Sequence, residues 1–374
     1  MKPCRYLWFG FYNPKYSRNR VLLNGLRSLG AEVVECRVDP KAHGRIGKYV
    51  RLFRSALALR RERWDAVIVA YPGLNAAWAA WLLFPGRIVY DAFFSVYQSE
   101  VEDRGAAKPG SPRATALFVA EWIVLRMARV VLLDTWTHAR YFVKTFGLPE
   151  SRFRRVPIGA DDGIFRPTEG AAAAGGEFIV EFHGTFIPLQ GIETILEAAK
   201  VLEDIHDIRF RIIGGGQTKR RMQELADHLA LKNLVFVGPL PQTSENGPSV
   251  VSELGAASVV LGIFGTGRKT DLVVPNKVYE GMACAKPVVT ADTTAVRELL
   301  TCGRHVACVP PGDAEALAKK IRELRTDAAL RNALAQEARR SYVSDFSPRP
   351  VAESLLNDLE SVFGFGIDGR AAEE

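Results

Sequence analysis

Long apolar runs are missing from this chain of 374 residues: no stretch reaches the roughly 18 uninterrupted apolar residues that a membrane-crossing helix needs. Leu74 to Phe84 is too short, and Ala114 to Leu133 is interrupted by Glu121, Arg126 and Arg129. The first residues, MKPCRYLWFGFYN, lack the apolar core and small-residue cleavage site of a secretory leader, so no secretory signal is expected. Cysteine is scarce, and Cys4, Cys36, Cys284, Cys302 and Cys308 are odd in number and scattered, which predicts reduced thiols in a cytoplasmic protein. Cys302, His305 and Cys308 are close together but lack a second ligand pair, so no metal is expected there. No GxGxxG follows the first apolar strand, which counts against an oxidoreductase.

Acidic residues are also scarce in the first half. Residues 1–166 hold 27 Lys+Arg against 14 Asp+Glu, a net +13, whereas the remainder holds 22 against 28, a net −6. The first half is therefore expected to meet something anionic. Overall, 48% hydrophobic and 24% charged residues make a globular composition, and the length suits two domains of roughly 150–200 residues.

Arg5 to Gly10 reads as a strand, Arg18 to Leu29 as a helix and Glu32 to Arg37 as a second strand, a βαβ opening. The loop after Gly10 lies where open α/β sheets bind ligands. His43 to Trp64 carries Arg45, Lys48, Arg51, Arg54, Arg60, Arg61 and Arg63 against Glu62 alone, interleaved with apolar residues. Two readings stay open: a solvated helix, or a basic amphipathic helix on an anionic membrane surface. Nucleic acid is not expected, since no recognition motif accompanies the charge. Trp64 to Ala70, Arg87 to Asp91, Arg129 to Asp134 and Phe153 to Val156 read as buried parallel strands. Asp91 then falls at a strand's carboxyl end, as a cleft-facing group or a capping carboxylate, and Ala92 to Pro112 reads as a mobile loop.

Glu169 to Gly176 (EGAAAAGG) reads as a linker. Beyond it the alternation restarts, with strands at Phe178 to Phe182, Arg209 to Ile213, Leu234 to Val237 and Ser258 to Ile263. The expected organisation is a domain at 1–166, a linker at 167–176, a second domain at 177–345 and, in 346–374, a helix that returns to the first domain, then a tail. Within the second domain, VPNKVYEGMACAKPVVT predicts a helix from Lys277 to Ala285 and a strand from Val288. Its first turn offers unpaired N–H groups and the positive dipole end, with Lys277 beside them, which suits a phosphate. Glu280, one turn on, suits the vicinal hydroxyls of a ribose. The bland alternative is a helix whose Lys277 and Glu280 are merely solvated.

VPIGADDGIFRP, HGTFIPLQGIETILEAAK, IIGGGQ and VPNKVYEGMACAKPVVT, in that order, resemble the retaining glycosyltransferase family 4 of the GT-B fold. The resemblance covers nearly all of the second half and is weak in the first. It implies an α/β fold of two Rossmann-like doubly wound domains facing across a cleft, the first binding acceptor and the second a nucleoside diphosphate sugar. It further implies transfer of a sugar to an acceptor hydroxyl with retention, metal-independent and without a cofactor, in polysaccharide, glycolipid or cell-envelope glycan synthesis. The alternatives are a sugar-nucleotide epimerase or phosphorylase of the same fold, or a non-catalytic partner subunit.

The match departs from the family where two basic residues are usual, since Thr185 and Gln190 stand there, and where a first glutamate is usual, since position 272 is Leu. Lys269 and Lys277 are the expected replacements for the missing cations, with Arg268 a further choice. Asp91 stands about where the family places a histidine. Asp91, Lys269 and Lys277 are thus the expected catalytic residues. Donor binding is expected at Gly10, Gly184, Thr185, Gln190, Gly214, Gly238, Leu240, Lys269, Asp271, Asn276, Lys277 and Glu280. His183 either touches the diphosphate or is a core histidine. The expected partners are a nucleotide sugar, a glycan or lipid-linked acceptor, and an anionic membrane surface contacted by residues 43–64.

Overall fold

The computed structural model describes residues 4–44, 46–168 and 176–364. The chain forms two compact units, one running to Gly159 and resumed from Ser347, the other Ala160–Phe346. Arg45 of the basic stretch, residues 169–175 of the expected linker and the tail from 365 lie outside the described residues.

The first unit alternates β1 (Arg5–Gly10), α1 (Ser17–Ser28), β2 (Glu32–Arg37), α2 (Gly47–Leu59), β3 (Ala66–Val69), α3 (Ala77–Leu83) and β4 (Ile88–Phe93). It continues through α4 (Pro112–Met127), β5 (Val130–Leu133), α5 (Trp136–Phe146) and β6 (Phe153–Arg155). The strands make one parallel sheet in the order β2-β1-β3-β4-β5-β6. Strands such as AVIV and VVLL are buried along their whole length, because helices cover both faces of a parallel sheet.

The second unit repeats the pattern: β7 (Phe178–Thr185), α6 (Ile192–Val201), β8 (Ile208–Gly215), α7 (Lys219–His228), β9 (Leu234–Val237), α8 (Val250–Ala256) and β10 (Val259–Leu261). There follow α9 (Asn276–Ala283), β11 (Val288–Ala291), α10 (Thr294–Leu299), β12 (Ala307–Val309), α11 (Ala314–Thr326) and α12 (Ala328–Ser341). Its parallel order is β12-β11-β10-β7-β8-β9, so the chain winds one way from β7 to β9 and the other way from β10 to β12. That reversal between β7 and β10 is where doubly wound sheets open a ligand crevice. The last helix, α13 (Pro348–Phe363), belongs to the first unit, where Val351, Ala352, Leu355 and Leu359 join the core of Val21, Leu22 and Leu26 from α1.

Four expectations change. Strand β4 runs two residues past Asp91, so that residue lies inside the strand and not at its carboxyl end. The segment read as a mobile loop instead carries a π-helical turn, Gln98–Asp103, with Gln98, Ser99 and Val101 buried. Its start is tied by Glu121 of α4, which accepts from Ser95 Oγ (2.7 Å) and from the Val96 and Tyr97 amides (3.0 Å each). Burial pushes that carboxyl up to about 7 against these lowering bonds. The basic helix is shorter than 43–64. After Leu59 the chain turns in, with Trp64 buried and its Nε1 donating to Leu59 O at 3.1 Å. Finally, Cys302 and Cys308 form a disulfide and are not reduced thiols, while Cys4, Cys36 and Cys284 are free. A turn in which Gly303 N donates to Val306 O brings the two together, a contact that residue spacing alone did not reveal.

Candidate functional site

Helix α9 begins after Pro275, whose fixed φ suits a helix entry, and it buries all but its first residue. Lys277 and Glu280 are one helical turn apart, 4% and 5% exposed, and both side chains reach the carboxyl end of β7. The Lys277 ammonium donates to Gln190 Oε1 and lies 4.1 Å from the centre of the Phe182 ring. Gly184 adopts φ +153°, which residues with a Cβ rarely take, and a Cβ there would also meet Lys277 Nζ at 3.0 Å, so the lysine passes close over the strand. Burial pushes Lys277 down to about 7, although Glu181 and Glu280 raise it.

Glu280 is held from β7. His183 Nε2 lies 2.8 Å from Glu280 Oε2, and His183 Nδ1 lies 2.9 Å from Glu181 Oε1. Burial alone would lower the imidazole, but the two carboxylates outweigh it and raise His183 to about 9. The ring is therefore a cation at neutral pH, with both nitrogens donating. Glu181 is wholly buried, and its second oxygen, Oε2, makes no hydrogen bond. Two carboxylates, an imidazolium and a lysine are thus clustered between β7 and α9. An anion entering beside Lys277 would favour the charged ammonium.

The other expected residues are distributed as follows. Gly184 and Thr185 end β7, paired with Gly214 and Gly215 of β8. Gln190 closes the 3-10 turn Pro188–Gln190, which packs against a second such turn, Arg268–Leu272. Lys269 is buried in that second turn, Arg268 is exposed and Leu272 is buried. Asp271 is committed to helix α10, accepting from Thr294 N (2.7 Å) and Thr294 Oγ1 (2.9 Å). Asn276 is the first residue of α9, and Gly238 and Leu240 follow β9 at the same sheet end. The structure therefore brings together Gly184, Gln190, Lys277 and Glu280 by direct contact, with His183 among them.

Gly10 and Asp91 belong to the first unit. Asp91 is fully buried and pairs with Arg18 of α1 at 2.9 Å, and Arg18 also donates to the Val156 and Pro157 carbonyls. Sequence reasoning missed Arg18 and Glu181. The available signals were a charge in a strand otherwise as apolar as FIVEFHG, and an arginine on the inward face of an amphipathic helix.

Comparison with known proteins follows the same division. The model for glycosyl transferases group 1 matches residues 169–341. A D-inositol 3-phosphate glycosyltransferase of Acidothermus cellulolyticus is 28% identical over 221 residues, covering 54% of this chain and 47% of that protein. The chain spans about half the length of the curated relatives it matches. Sucrose-phosphate synthase of Thermosynechococcus elongatus superposes with a TM-score of 0.73 at 18% identity, over 98% of this chain and 100% of that one. Anabaena HepE in complex with UDP and glucose gives 0.70 at 15% identity, over 96% and 100%. These likenesses show the two-domain α/β fold, GT-B, over 96% and 98% of the chain. Over residues 169–341 the chain matches the family of glycosyl transferases group 1, and most of its relatives in sequence are named as glycosyltransferases, with one named as an exopolysaccharide phosphotransferase.

Proposed function

We propose that the protein is a retaining glycosyltransferase that moves a sugar from a nucleoside diphosphate sugar to an acceptor hydroxyl in glycan or glycolipid synthesis, in the cytoplasm. The observation that carries this reading is the convergence of Lys277 and Glu280 from α9 with His183 and Gln190 at the sheet's crossover point. His183 occupies Glu280 Oε2, and Oε1 is the oxygen assigned to the ribose hydroxyls. The diphosphate would lie on Lys277, the α9 N-terminus and the turns holding Gln190 and Lys269. The base would lie near Gly238 and Leu240. In the reaction the bond from the anomeric carbon to the phosphate oxygen breaks, and the electron pair goes to the phosphate. The acceptor oxygen bonds to that carbon from the same face, and its proton passes to the departing phosphate oxygen. Fixed cations beside that phosphate stabilise the charge as it forms and give the reaction its electrostatic help without a metal. A lipid-linked or other anionic acceptor suits the +13 first half, and residues 43–64 are assigned to an anionic membrane surface.

The test is transfer measured with a panel of nucleotide sugars, with product analysis to separate transfer from epimerisation. Lys277→Ala and Glu280→Ala should each lower kcat/KM by on the order of 10²–10³, the loss expected of one such contact. Rates like those of the unaltered protein in both variants would end the assignment.

A further inference from the structure

Three neighbouring helices of the first unit each leave an apolar stripe uncovered. On α3 the stripe is Trp78, Trp81 and Leu82, exposed by 43%, 47% and 53%; on α4 it is Val119, Trp122 and Ile123, exposed by 44%, 39% and 40%. Both triplets have the spacing i, i+3, i+4, which puts each on one helical face. Val50 and Leu57 of α2 add 46% and 49%, with Ile46 just ahead of that helix at 78%. Helix α3 packs against both α2 and α4, and the Trp78 ring lies 6.2 Å from Tyr49 of α2, so the stripes adjoin. The patterning of α3 is unusual for a helix in water: it buries Ala77, Ala79, Ala80 and Leu83 but exposes both of its tryptophans.

Charge on this face has one sign. The charged residues of the three helices are Lys48, Arg51, Arg54, Arg113, Arg126 and Glu121, and Glu121 is fully buried on Ser95 and the backbone. Arg126 stacks on Trp122 at 3.7 Å from the ring centre, carrying its charge over the apolar stripe. None of the described helices is long and apolar enough to cross a membrane. A second copy of the chain would set these cations against one another, and a nucleic acid would leave the aromatic stripes wet.

We propose that the face formed by α2, α3 and α4 docks flat on an anionic lipid bilayer. Trp78, Trp81 and Trp122 enter the headgroup layer, where tryptophan is favoured, and Lys48, Arg51, Arg54 and Arg126 meet lipid phosphates. This extends the membrane reading of residues 43–64 to two helices outside that stretch, and it uses no residue of the donor site.

The experiment is vesicle co-sedimentation of the full chain with phosphatidylcholine, alone and mixed with phosphatidylglycerol. Binding is expected only to the mixture. Tryptophan emission should shift to the blue and be quenched by brominated acyl chains, since Trp8 and Trp64 are already buried and Trp136 is half-buried, which leaves Trp78, Trp81 and Trp122 as the exposed emitters. Arg51→Ala with Arg54→Ala should lower the partition coefficient about 30-fold, from roughly fivefold per cation. Trp78→Ser, Trp81→Ser and Trp122→Ser together should abolish both binding and the shift. Stabilisation of these variants by nucleotide sugars, unchanged from the unaltered chain, separates this face from the donor site. Should the tryptophan variant fail to fold, the arginine pair and the quenching decide. An unaltered chain that stays in the supernatant, variants that bind vesicles like the unaltered chain, or a dimer that the tryptophan variant abolishes without vesicle binding would each overturn the proposal.

Discussion

Asp91 and Glu181 are both buried carboxylates in parallel strands, and their partners give them different work. Asp91 faces Arg18, and the pair is fully buried with the guanidinium's remaining donors on backbone carbonyls. Removing one member of such a pair strands a charge, so Asp91→Ala should cost about 3–5 kcal/mol in urea unfolding. A variant as stable as the unaltered protein but without activity would return Asp91 to the catalytic role first expected of it. Glu181 instead keeps His183 charged, and the Glu181→Gln imidazole should titrate well below the value near 9 of the unaltered chain, as read by NMR. An unmoved inflection would refute the role given to Glu181. The sign for stability follows from that shift. His183 is raised, so its contribution is complete below about 6.5 and is lost as pH rises through about 9. Lys277 is lowered, so its cost to the fold is relieved as pH climbs above about 7, and the two groups oppose each other between these values.

Among the elements, strands were the most legible in sequence and the ends of helices the least. Runs such as WDAVIVA and RVVLLD can only be satisfied between two helical layers, and β3 and β5 lie inside them. The segment 92–112 misled because its polar and glycine content hid its long-range anchors, the carboxylate of Glu121 and the Tyr141 hydroxyl, which donates to Glu102. The pairing of α1 with α13 was legible only as a late helix expected to return to the first domain. Its closeness depends on Gly25, where a Cβ would lie 2.1 Å from Pro348 O. Gly25→Ala should therefore force the two helices apart and lower stability by about 1–3 kcal/mol, the usual range for overpacking, measured by denaturant titration. A melting curve unchanged by that substitution would show that the α1–α13 contact yields without cost.

For the whole molecule, the decisive measurement is ligand-linked stability. A nucleotide sugar at 100 times its dissociation constant should stabilise the folded protein by about 2.7 kcal/mol, and Lys277→Ala should remove most of that gain. No shift with any member of a panel of nucleotide sugars would remove the donor assignment, while vesicle binding would be untouched by that outcome.

By itself the sequence determined the double α/β alternation, the α9 stretch with Lys277 and Glu280, and the uneven charge of the two halves, because apolar period, proline placement and net charge are local or additive properties. Only the tertiary structure decided that Asp91 is spent on Arg18, that His183 bridges Glu181 and Glu280, and that Cys302 meets Cys308. It alone aligned the tryptophans of α3 and α4 beside the basic α2. Each of these is a contact between residues whose meeting is fixed by strand order and helix packing, and no local pattern encodes which partner a buried charge or an uncovered ring will find.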